Sequence, residues 1–199
     1  MYEKIGLLII SYIGGSIPFG LLFSSLFSGI DIRRIGSGNI GTANVIRNAG
    51  LFSGILTFIC DVLKGFIPTL FALKFYDTWI AAIAGLLSVI GHIFSIFLRF
   101  KGGKGVATAF GVMLALNFIS ALLAFGIFIA VMIIFRISSL SSLMATIGIL
   151  IINLILGVEI DIIFLNIILC ALIFFKHREN IKRLIRGEEP KMWGDEERI

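Results

Sequence analysis

The sequence predicts an all-α integral membrane protein of seven transmembrane helices, with the N-terminus outside and the C-terminus in the cytoplasm. Three observations lead there. Of 199 residues, 58% are hydrophobic and 15% charged, which is more apolar surface than one soluble core of this size can bury. Apolar runs long enough to cross roughly 30 Å of hydrocarbon recur from end to end. All but Lys4, Lys64 and Lys74 of the 17 Lys and Arg residues gather in four regions, which seven spans place on a single face. Residues 1–199 therefore read as one transmembrane domain, with 176–199 as a cytoplasmic C-terminal tail.

The first apolar run covers 5–27. No strongly basic segment precedes it and no small-residue cleavage pattern interrupts it, so the first span is expected to stay in the mature protein. Runs at 51–73 and 79–98 follow, then 106–135, 140–158 and 160–175. The fourth run decides the count, because its 30 residues are too long for an untilted span and its interior holds one strongly polar residue, Asn117. A short helix, a turn near Asn117 and a second helix make seven spans. Six would split the basic regions between the two sides, whereas seven collects Arg33, Arg34 and Arg47, then Arg99, Lys101 and Lys104, then Arg136, then the Lys176–Arg198 group. Inside the spans, Asp61 and Lys64 are three residues apart on one helical face, a spacing at which they can neutralise each other unless Lys64 snorkels outward. His92 reads as a hydrogen-bonded packing residue.

The connections carry the polar chemistry. In Gly36-Ser37-Gly38-Asn39-Ile40-Gly41-Thr42-Ala43-Asn44, reaching Arg47, three glycines let the backbone turn its N–H groups toward a ligand, and hydroxyls, amides and a guanidinium join them. The set suits phosphate. Its G-x-G-x-x-G spacing lacks the preceding strand of a dinucleotide fold and is read as accidental. Lys101-Gly102-Gly103-Lys104-Gly105 leads straight into a helix, so amides, a dipole end and Lys104 form a second anion site. Its glycine spacing is not that of a nucleoside triphosphate loop. Ser138, Ser139, Ser141 and Ser142 follow Arg136 and read as an N-cap beside a positive-inside charge. If the last helix continues to Gly187, His177, Asn180 and Leu184 share one face, with Arg183 three residues beyond Asn180. Cys60 and Cys170 lie in apolar runs, and no metal-ligand cluster is evident.

These segments, with His177-Arg178-Glu179-Asn180-Ile181-Lys182-Arg183-Leu184 followed by Gly187 and Glu189, resemble the three signature blocks of the bacterial acyl-phosphate:glycerol-3-phosphate acyltransferases. The resemblance spans nearly the whole chain. It implies transfer of a fatty acyl group from acyl phosphate to the 1-hydroxyl of glycerol 3-phosphate, giving lysophosphatidic acid and phosphate, the first step of phospholipid synthesis. It also implies a place in the cell inner membrane with the active site facing the cytoplasm. On that footing Lys104 and Arg47 are expected to pair with phosphate charge. Ser37, Gly38, Asn39, Thr42, Gly102, Gly103 and Gly105 are expected to cradle phosphate and the developing oxyanion. His177, Asn180, Ser142 and Arg183 are expected to orient glycerol 3-phosphate, with His177 the candidate general base. Membrane lipid is a partner, a monomer is expected, and no cofactor, metal or nucleic acid is implied. A small anion transporter or channel remains the alternative, since basic loops and helix dipoles would also serve it.

Overall fold

The computed structural model describes residues 2–193, which are helical throughout with no strand among them. Arg198 and the rest of 194–199 lie outside the described residues. The chain divides into two compact units, Met1–Phe118 and Ile119–Ile199.

The first unit opens with α1 (Tyr2–Gly15) and α2 (Phe19–Ser28), which together make one apolar span of 27 residues. The expected single run is broken inside. Pro18 has no N–H to donate and its ring clashes with the preceding turn, so the helix stops and restarts. Two side chains from elsewhere satisfy carbonyls freed at the break: Ser95 Oγ donates to Ser16 at 2.5 Å and Lys64 Nζ to Ile17 at 2.9 Å. After α3 (Thr42–Ala49), α4 (Leu51–Phe75) and α5 (Thr78–Ile93) form long spans, and α6 (Val106–Leu116) is short. The turn expected near Asn117 is there, with Asn117 extended at φ −149° and capping α6. An eleven-residue helix rises only about 16 Å, half the hydrocarbon thickness. Small residues bring these helices close: a side chain on Gly65 or Gly111 of α4 and α6 would strike the backbone of Thr108 or Val62. Ala72, Ala81 and Ala84 pack with Leu7, Leu8 and Leu116 at the far end from the loops.

The second unit holds α7 (Phe118–Phe135, from its second residue), α8 (Ser138–Leu156), α9 (Ile160–Lys176) and α10 (Arg178–Ile185). α7 is apolar on all sides and mostly unburied, as Ile119, Leu123, Ile133 and Ile134 illustrate, so lipid is its solvent. Gly157, at φ 62°, ends α8 in a left-handed cap and allows α9 to fold back. Among the described residues, five segments are long and apolar enough to cross a membrane, or six if α9 and α10 count as one. The protein is a multi-pass membrane protein.

Two expectations are corrected here. The last helix does not run on to Gly187: it bends by 63° between α9 and α10. His177 marks the break, where its N–H bonds both Ile173 and Phe174 carbonyls and tightens the final turn. The serines after Arg136 do not cap α8. Ile137 holds that position, and Ser141 and Ser142 donate instead to the carbonyls of Ile137 and Ser138, four residues back.

Candidate functional site

The first loop of the first unit is built around an amide. Ser28 Oγ closes its base on the Ala49 carbonyl at 2.6 Å. Asp31 starts a 3-10 turn (Ile32–Arg34) and grips Arg33 with both carboxylate oxygens, at 2.8 and 2.7 Å. The Arg33 fork holds the Asp31 carboxyl well below the usual range, at about 2. Asn44, 3% exposed, is the hub. Its Nδ2 donates to Ile32, Ile35 and Asn39 carbonyls, while its Oδ1 accepts from Ser37 N–H at 3.1 Å and from Asn48. Gly36 adopts φ 60° directly against this amide, where a side chain would meet both asparagines. Asn39 also turns inward, accepting from Gly41 N–H at 2.8 Å. The result is a rigid loop that ends on the N-terminus of α3, with Ser37 and Arg47 exposed and Thr42 at its first position.

The second loop is seated on the end of α5. Arg99 and Phe100 take successive left-handed conformations, φ 51° and 63°, held by Phe100 and Lys101 N–H bonds to Ser95 and Leu98 carbonyls. Gly102 and Gly103 N–H groups donate to Ile93 and His92 carbonyls, each at 3.0 Å. Their amides therefore hold the loop down, which differs from the cradling expected of them. The amides at the start of α6, after Gly105 at φ 87°, are the donors left to face a ligand beside Lys104. The two loops form one body. Leu98 packs with Ile32, Ile40, Val45 and Ala49 of the first, and Gly38 shares an open pocket with Arg33, Phe97, Arg99 and Lys101.

The second unit brings together the third set. His177 is 2% exposed, and its Nδ1 lies 2.8 Å from the Ile173 carbonyl. A carbonyl oxygen can only accept, so Nδ1 carries the proton and the basic lone pair of the neutral ring is on Nε2. Asn180 and Arg183 converge on Glu189, at 2.5 and 2.7 Å. Glu189 appeared in the sequence only as the end of a block, and its role as a clamp depends on Gly187 reversing the chain at φ 70°. Burial pushes its carboxyl pKa up, but hydrogen bonds from Asn180 and Arg183, with the Arg183 charge, outweigh burial and hold it below the ordinary glutamate range. The clamp is thus complete above that range and lost only as pH falls through the lowered value. The tail after it docks through Met192 N–H on the Arg136 carbonyl at 2.7 Å.

Hydrogen bonds to a charged group contribute about 1.5–3 kcal/mol. Replacing Glu189 with alanine leaves Asn180 and Arg183 without their shared partner and is expected to lower the melting temperature by several degrees. A thermal melt checks this, and an unchanged melting temperature would show that the clamp adds nothing to the fold.

The buried charges were read only in part from the sequence. Asp61 and Lys64 do pair, at 2.7 Å, but Lys64 stays inside at 8% exposure and does not snorkel. His92, from another helix, joins them with Nδ1 3.6 Å from Asp61 Oδ1. Among the described residues no group of three or more His, Cys, Asp or Glu could hold a metal ion.

Comparison with known proteins agrees with this layout. A family profile described as glycerol-3-phosphate acyltransferase matches residues 5–187. The glycerol-3-phosphate acyltransferase of Aquifex aeolicus is 44% identical over 92% of this chain and 96% of its own length. That of Geotalea daltonii is 46% identical over 95% and 97%. Two crystal structures of PlsY (YgiH), described as an integral membrane glycerol 3-phosphate acyltransferase, superpose on the chain. The glycerol 3-phosphate form does so with a TM-score of 0.93 at 42% identity over 96% of both chains. The lysophosphatidic acid form gives 0.90 at 41% over 95% of both. With the three polar blocks inside the matched residues as far as Gly187, this chain belongs to the glycerol-3-phosphate acyltransferase family.

Proposed function

We propose that the protein transfers a fatty acyl group from acyl phosphate to the 1-hydroxyl of glycerol 3-phosphate, releasing lysophosphatidic acid and phosphate. One observation carries the reading: the chain matches, over nearly its full length, an enzyme crystallised in forms named for glycerol 3-phosphate and for lysophosphatidic acid. Those two compounds differ by one acyl group. The glycerol oxygen bonds to the acyl carbonyl carbon, the bond from that carbon to the phosphate oxygen breaks, and the hydroxyl proton passes to His177. Phosphate leaves readily, so attack is direct and no residue is acylated. Consistent with this, the sequence has no G-x-S-x-G turn, and Cys60 and Cys170 lie half-buried within α4 and α9.

Catalysis then rests on positioning and on charge. Lys104 and Arg47 offset phosphate charge. Ser37, Gly38, Asn39 and Thr42 line one anion site, while Gly102, Gly103 and Gly105 shape the other by setting α6's first turn. Ser142, Asn180 and Arg183 orient glycerol 3-phosphate, and the Nε2 lone pair of His177 accepts the proton. In this reading residues 1–199 work as one monomeric transmembrane domain in the cell inner membrane. It has seven spans, the N-terminus outside, the C-terminus and both substrate sites facing the cytoplasm, and the acyl chain lying toward lipid.

The decisive experiment offers purified protein glycerol 3-phosphate with either acyl phosphate or acyl-CoA. Lysophosphatidate is expected from acyl phosphate. Product from acyl-CoA alone would overturn the donor, and uptake of phosphate compounds into proteoliposomes without acyl transfer would favour a transporter.

A further inference from the structure

The most deeply buried charges of the first unit have no part in the scheme above. Asp61 is 2% exposed, Lys64 8% and His92 4%. Lys64 Nζ bonds Asp61 Oδ1 at 2.7 Å, donates to the Ile17 carbonyl at 2.9 Å and lies 5.6 Å from the Phe19 ring centre. His92 Nδ1 lies 3.6 Å from the same carboxylate oxygen, within reach of its charge. Its other side supports the second loop. The His92 carbonyl accepts the Gly103 N–H at 3.0 Å, and the imidazole lies so near Gly103 that any side chain there would collide with Nε2. A side chain on Gly102 would strike the His92 carbonyl.

A buried ion pair is weak evidence for stability, because well-packed apolar residues of similar volume often do as well or better. Intramembrane charges are expensive and tend to serve function. Resting on the acyl-transfer reading, we infer that Asp61, Lys64 and His92 are positioning residues: the ion pair fixes the His92 ring, and His92 sets the height of Gly102 and Gly103. That height places Lys104 and the first amides of α6. The triad reaches the α1–α2 break, α4, α5 and the loop, so it ties the anion site to the buried centre of the unit.

The test separates support of the loop from support of the fold. Lys64→Met alone leaves a buried carboxylate without its ammonium and is expected to lower the melting temperature. Adding Asp61→Asn removes that charge, and the double variant should melt within a few degrees of wild type. Its kcat should remain at least tenfold low, with KM for glycerol 3-phosphate within threefold of wild type. Recovery of kcat together with stability would overturn the inference. A second pair decides if the double variant does not fold. His92→Asn keeps an amide N–H near the Nδ1 position that faces Asp61 and should turn over at least fivefold faster than His92→Leu at equal stability; equal rates would overturn the inference. Wild-type enzyme that makes no lysophosphatidate would sink the acyl-transfer reading instead. The same variants would then be read by binding of inorganic phosphate, expected to weaken at least tenfold, and unchanged binding would overturn the triad's role.

Discussion

Replacing Lys104 with methionine is expected to lower kcat/KM for acyl phosphate by about a thousandfold while the protein keeps its fold. Removing one preorganised charge stabiliser from an active site costs about 10²–10³ in rate, and here the leaving group itself is an anion. Lys104 precedes Gly105, the left-handed residue that starts α6, so its charge adds to the positive end of that helix. Methionine keeps the length and apolar stem, which limits the structural cost. Arginine in the same place keeps the charge but brings a planar fork in place of a compact ammonium, and should recover only part of the rate. The measurement is initial rate against acyl phosphate at fixed ionic strength, beside a thermal melt. A loss below tenfold would reduce Lys104 to one more positive-inside charge.

The residues that could be read from sequence were those whose meaning is local. Asn117 stood out because a polar amide in a 30-residue apolar run has few alternatives to a break. The Asp61–Lys64 pair followed from helical spacing alone. The glycine-rich run ending at Gly105 predicted a helix directly after it, and α6 starts at Val106. What stayed hidden depends on partners far along the chain. His92 meets Asp61 from another helix, and no periodicity links two helices in space. Asn44 looked like one more donor for a ligand, yet five hydrogen bonds turn it into the inner frame of its loop. Gly102 and Gly103 looked like a cradle, but the end of α5 offers two carbonyls that no helix can satisfy, and those carbonyls take their amides. The bend at His177 had no proline or glycine to announce it. It comes from the histidine satisfying carbonyls of its own last turn with both backbone and ring, after which Glu189 gathers Asn180 and Arg183.

That bend gives the His177→Gln substitution its diagnostic value. Because the Ile173 carbonyl orients Nδ1–H, the lone pair of the neutral ring lies on Nε2, the atom that takes the proton in the proposed scheme. General base catalysis contributes about 10²–10⁴ in rate. His177→Gln should therefore lower kcat by at least a hundredfold, while KM for glycerol 3-phosphate moves less than threefold, because the amide can still donate and accept where the ring did. The competing arrangement has a phosphate of the substrate accept the proton, with His177 only holding glycerol 3-phosphate in place. It predicts the opposite pattern: turnover largely retained and KM raised. A kcat within tenfold of wild type with a raised KM would assign the proton to the phosphate and leave His177 as a substrate anchor.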